Sequence, residues 1–78
     1  MRIPRDLSGE SLIRGLIRLG YERTRQAGSH VRLTHAGPPQ HHVTVPMHDP
    51  LRLGTLSSIL DSVAEAQMMS RAQLLARL

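Results

Sequence analysis

Five histidines, at positions 30, 35, 41, 42 and 48, are the side chains of this 78-residue chain best suited to moving protons near neutral pH, because a free imidazole titrates near about 6.5. One of them has a distinctive local setting. His30 follows Gly28-Ser29 and opens a stretch of β-branched alternation, so its ring stands directly after a turn. Glycine at position 28 lets an anion approach the backbone closely, and the Ser29 hydroxyl can donate to it. Arg25 and Arg32 flank the turn with forked, permanently charged donors matched to phosphate. Taken alone, these residues also read as a plain hairpin turn with a surface histidine at the start of a strand.

His48, in Thr44-Val45-Pro46-Met47-His48, and His42 are the other candidates for acid or base work. For His48, a hydrogen bond that fixes the loop is an equally good reading. His35, His41 and His42 gather at the facing ends of two strands and invite a zinc reading. No carboxylate accompanies them in the hairpin and their spacing matches no zinc motif, so polar decoration is the better account and no metal or other cofactor is expected. With no cysteine, the chain has no disulfide, thiolate metal site or thiol nucleophile.

The elements that position these residues are legible from pattern. Ser8 caps a helix reaching Leu19, with Glu10 in its first turn, Leu12, Ile13, Leu16 and Ile17 on one face, Arg14 and Arg18 on the other, and Gly20 as the stop. Residues 21–26, 30–35 and 41–45 read as three antiparallel strands separated by turn residues. In the second, Val31 and Leu33 oppose His30, Arg32 and Thr34; in the third, Val43 and Val45 oppose His42 and Thr44. The first strand alternates poorly and its facing stays open. A second helix starts at Gly54-Thr55, carrying Leu56, Ile59, Leu60, Val63 and Ala64 as a helical stripe, and a short helix follows Ser70. Leu7 with Leu12, and Met69 with Leu74, are spaced as hydrophobic staples. The expected architecture is a two-layer α+β domain, α-β-β-β-α with a three-stranded antiparallel sheet open on one face and a short C-terminal helix.

Length and composition set outer limits. A chain of 78 residues is one domain, residues 1–78, which buries only about 60% of its unfolded surface, so any chemistry sits on the outside. No apolar run approaches the roughly 18 residues of a membrane span, and MRIPRDLSGE lacks the apolar stretch of a signal peptide, so no membrane contact and a cytoplasmic location are expected. All ten basic residues are arginine, and the net charge of +4 belongs to residues 1–35, residues 36–78 being neutral. Tyr21 is the lone aromatic, so base stacking on aromatic side chains is not a main mode of binding here.

The ordered set Gly28-Ser29-His30, then Thr44-Val45-Pro46 with His48, then Gly54-Thr55-Leu56 with Ile59-Leu60, preceded by a helix ending in Gly20-Tyr21, resembles the HicA family of toxin endoribonucleases over roughly residues 8 to 64. The resemblance implies a fold like the double-stranded-RNA-binding domain. It also implies a toxin that degrades mRNA without the ribosome, with a HicB-type antitoxin protein as partner. It carries the family's catalytic histidine onto His30, whose imidazole would take the proton of a ribose 2′-hydroxyl without a metal ion. The departing 5′-oxygen then needs a proton from His48, His42 or water. Gly28, Ser29, Arg25 and Arg32 become candidate RNA contacts, while Arg2, Arg5, Arg14 and Arg18 supply a general field or meet an acidic antitoxin. Ala64 and Gln67 stand near positions where the family would place a helix-breaking glycine, which bears on the last helix. Two other functions fit the same residues: a non-catalytic RNA-binding module of this fold, and a basic protein-interaction partner.

Overall fold

The computed structural model describes residues 6–78. Its elements run α1 (Gly9–Arg18), β1 (Tyr21–Ala27), β2 (His30–His35), β3 (His41–Pro46), α2 (Leu53–Ala66) and α3 (Arg71–Arg77). The strands form one antiparallel sheet in the order β1-β2-β3. This is the α-β-β-β-α arrangement expected from the sequence, with the extra C-terminal helix. A shortest dimension of 18 Å suits one helical layer on one sheet.

Local chemistry sets the boundaries. The Ser8 side chain accepts a hydrogen bond from the backbone N–H of Ser11, satisfying one of the free donors of the first turn of α1. Gly20, at φ 104°, ends that helix and turns the chain into β1. Ser70 caps α3 within a full capping box closed by Gln73. The second helix starts at Leu53, one residue before Gly54-Thr55, and its N-cap residue Arg52 makes no side-chain cap bond.

Strand alternation builds the core. Val31, Leu33, Val43 and Val45 from the sheet pack with Tyr21, with Leu12, Ile13 and Leu16 of α1, with Leu56, Leu60 and Val63 of α2, and with Leu74 of α3. Leu7 and Met69 pack against this cluster from the residues that precede the caps, as hydrophobic staples would. The stripe of α2 is buried as its spacing predicts. One departure is Ile17, which belongs by spacing to the buried face of α1 and is 44% exposed. It lies in the last turn of α1.

The end of α2 answers the missing glycine. Met69 N–H bonds to Ala64 C=O at 3.0 Å and Met68 N–H to Glu65 C=O at 3.2 Å, the paired bonds of a Schellman ending. That ending needs a left-handed residue, and Met68 supplies it at φ 54° while its side chain stays 91% exposed. Gln67 is the C-cap.

Candidate active site

Ala27 pairs with His30, leaving Gly28 and Ser29 as a two-residue hairpin loop. Gly28 has φ 58°, and the space that a Cβ would occupy there is open. Positive φ at the first loop residue is the glycine-demanding feature of a tight hairpin, and it leaves backbone accessible at the tip. The Gln26 side-chain amide donates to the Gly28 carbonyl at 3.1 Å, and the Ser29 carbonyl accepts from Met47 N–H at 2.6 Å. The second of these bonds ties the turn to the segment after β3.

His30 is the first residue of β2 and is exposed. Its cross-strand partners are Ala27 and Pro46, so it sits at the corner of the sheet beside the Gly-Ser turn. Arg32 and Thr34 share its face by alternation, and this is the face opposite Val31 and Leu33. No described element covers it.

The facing of β1, which alternation left open, is settled by a bulge. Arg23 pairs with Leu33 and Arg25 with Arg32, so the extra residue is Thr24. Regular alternation through Thr24, with no bulge, would put Arg25 on the side of Tyr21. With the bulge, Arg25 lies directly across from Arg32 on the open face, and Arg23 lies on the other side. Directly opposed like charges destabilise a sheet. Among the described residues the ion pair formed is Arg71 with Asp61, on the helical side, and residues 1–5 contain no carboxylate. Neither Arg25 nor Arg32 forms an ion pair with a described residue, the carboxylate on that face, Glu22, standing one row away, and the opposed charges favour an anion above them.

The other histidines separate into three settings. His48 is exposed, and its backbone carbonyl, rather than its ring, fixes the loop by accepting from Gly9 N–H at 2.8 Å. Its ring makes no hydrogen bond to a described residue. Because Met47 is bonded to Ser29, His48 follows immediately on the strand end nearest the turn. His42 shares the open face but pairs with Thr34, four residues from His30, about 13 Å along the strand. Its Nδ1 lies 2.8 Å from Thr34 Oγ1, which lies 2.9 Å from Thr24 Oγ1.

His35 and His41 face the core side, against Tyr21, and are not surface decoration. The Tyr21 hydroxyl lies 2.7 Å from His41 Nδ1, and His41 Nε2 lies 2.9 Å from Ser62 Oγ of α2. Burial, and then the neighbouring His42 and His35, lower the His41 pKa; burial raises that of Tyr21, partly offset by a hydrogen bond from Gln67. This sheet-to-helix network was absent from the sequence reading. Its signal was the period-two placement of His35 after Val31 and Leu33, and of His41 before Val43 and Val45. Among the described residues no three His, Asp or Glu side chains are grouped to hold a metal ion.

Arg14 and Arg18 are exposed on α1, Arg18 donating to the Leu78 carbonyl at 2.9 Å; Arg2 and Arg5 lie outside the described residues. A groove of about 550 Å³ between the end of α2 and α3, lined by Gln67, Met68, Met69, Gln73, Ala76 and Arg77, contains none of the residues around His30. No described helix is long and apolar enough to cross a membrane. Among known families, the model of the HicA toxin of bacterial toxin-antitoxin matches residues 9–64. No curated protein and no solved structure matches.

Proposed function

The chain belongs to the HicA toxin family of bacterial toxin-antitoxin systems, and on that premise we propose that it is an endoribonuclease that cuts mRNA without the ribosome. The observation that carries this reading is the placement of His30. It is exposed beside an open glycine turn, on the same face as an opposed arginine pair that forms no ion pair with a described residue. That face offers a proton acceptor and anion-binding donors within one strand of each other.

The chemistry that suits these groups is internal transesterification. His30 removes the proton of a 2′-hydroxyl, the freed oxygen attacks the adjacent phosphorus, and the P–O5′ bond breaks to leave a cyclic 2′,3′-phosphate. The departing oxygen takes a proton from His48, the histidine on the segment bonded to the turn, or from water. Arg25 and Arg32 hold the phosphate charge as it builds, with the Gly28 backbone and the Ser29 hydroxyl beside them. One positioned acid or base contributes about 10²- to 10⁴-fold, so turnover is slow. A HicB-type antitoxin holds the protein inactive in the cytoplasm, and the exposed Arg14 and Arg18 suit an acidic surface on it.

The test is incubation of purified protein with a long unstructured RNA, with and without EDTA, beside the His30→Ala and His48→Ala variants. The expected result is cleavage that survives EDTA, is abolished by His30→Ala and is slowed by His48→Ala. Intact RNA with the wild type removes the nuclease reading, and RNA that is bound but uncut, with affinity falling steeply in salt, marks a binding module instead. Failure of the toxin to co-purify with the product of an adjacent reading frame would count against the antitoxin partner.

A further inference from the structure

The open face continues beyond the groups used above. Past the Arg25–Arg32 row, about 7 Å further along β2, lies a row made of Glu22, Thr34 and His42, paired across the three strands. The Thr24 side chain joins it because the bulge turns that residue onto the same face, where its hydroxyl meets that of Thr34. Thr34 in turn meets His42 Nδ1. A ring engaged at Nδ1 has its plane fixed and its other nitrogen without a partner among the described residues. The chain thus orders an exposed imidazole through two hydroxyls, which costs side-chain entropy that nothing in the core recovers.

We propose that this row is a second nucleotide subsite, holding the ribose hydroxyl and base edge of a nucleotide that flanks the one attacked at His30. The proposal rests on the nuclease reading for the position of the cut, and on the register alone for the geometry. Three features decide the class of ligand. The distance from His30 to the row, about 13 Å, exceeds the reach of an acid acting on the same phosphodiester, which separates His42 from the cleavage step. The phosphate-binding charge lies between the two, at Arg25 and Arg32, so a chain with phosphate in the middle and nucleosides at either end fits the face. At the far row the Glu22 carboxylate stands beside the hydroxyls and the imidazole, a mixed set of donors and acceptors that suits a neutral hydroxyl or base edge better than a second phosphate. Single-stranded RNA supplies that sequence of groups, and its 2′-hydroxyl distinguishes it from DNA.

Binding is measured by fluorescence anisotropy on the His30→Ala background, which removes cleavage, with His42→Ala and Thr34→Val added separately. The probes are a mixed-sequence single-stranded oligoribonucleotide, the DNA oligonucleotide of the same sequence, and dinucleoside monophosphates. Loss of one or two hydrogen bonds weakens the oligoribonucleotide, and the ribodinucleoside monophosphates that span both positions, by roughly three- to tenfold, while DNA changes less than twofold. In the enzyme with His30 intact, KM for long RNA rises by the same factor and kcat is little changed. Circular dichroism verifies that each variant is folded.

Unchanged RNA affinity overturns the subsite, as does a fall in kcat matching that of His30→Ala, or a loss confined to antitoxin binding. If the wild type cleaves no RNA but the binding pattern holds, the nuclease reading fails and the subsite stands. If cleavage proceeds and the variants bind RNA like their parent, the reverse is true.

Discussion

Replacing Arg32 with glutamine should make the protein more stable and a weaker RNA binder, with both effects fading together as salt is raised. The bulge at Thr24 sets Arg25 directly opposite Arg32, and neither forms an ion pair with a described residue. Two unit charges about 8 Å apart in water repel by about 0.5 kcal/mol, within the roughly 0.2–1 kcal/mol by which cross-strand pairs alter a sheet. For a domain of this size that corresponds to a rise in Tm of about 1–8 °C. The assay is thermal unfolding at low ionic strength, where the screening length is about 30 Å, and in 1 M salt, where it is about 3 Å. In 1 M salt the gain should disappear. Arg25→Gln should reproduce it, and the double variant should fall short of the sum, since the second change removes no further repulsion. RNA titrations of the same proteins should show the slope of log affinity against log salt shallower by about 0.7 for each arginine removed. A lower Tm for Arg32→Gln at low salt would refute the argument, and so would a salt slope equal to that of the wild type.

Two further outcomes follow from the helical side. Met68→Gly relieves a left-handed methionine in the Schellman ending of α2 and removes a 91% exposed apolar side chain, so it should stabilise the fold by about 1 kcal/mol, read as a Tm higher by several degrees. His41, whose protonation is disfavoured by burial and by His42 and His35, binds its proton less readily folded than unfolded. Its contribution is whole above about pH 6.5 and declines as pH falls through that value towards its lower folded pKa, so urea midpoints should drop between pH 7.5 and pH 5 and drop less in His41→Gln.

The sequence carried the element order because capping and periodicity are local: Ser8 and Ser70 cap where predicted, and Leu56 to Ala64 bury the stripe that their spacing describes. The Gly28-Ser29 turn was legible for the same reason. What the sequence hid depends on register. Thr24 carries no local mark of being an extra residue, since a bulge is defined by what the neighbouring strand opposes to it, and without that knowledge Arg25 has no face. His35 and His41 looked like polar decoration because a histidine is counted as polar, although period two placed them with the core valines, where Tyr21 and Ser62 engage them. The left-handed Met68 was hidden for a different reason. The paired bonds to Ala64 and Glu65, together with the docking of Met69 and α3, override an intrinsic preference worth only about 1–2 kcal/mol.

The bulge also explains why the open face can carry charge at all. A three-stranded sheet with its helices on one side must leave the other side to solvent, so residues there are released from packing and a repulsive pair is tolerated at a cost smaller than one core contact. Were Thr24 paired regularly instead of bulged, it would itself oppose Arg32, and Arg25 would turn to the Tyr21 side opposite Val31. The extra residue instead aligns Arg25 with Arg32 and His30 on one surface, and its own hydroxyl completes the contact with Thr34. The bulged placement of Thr24 therefore sets both the arginine pair and the ordering of His42, and the two rows stand or fall together with the strand register. Arginine substitutions should accordingly alter phosphate affinity for RNA and DNA alike, whereas substitutions in the Thr34 row should alter only the affinity for RNA.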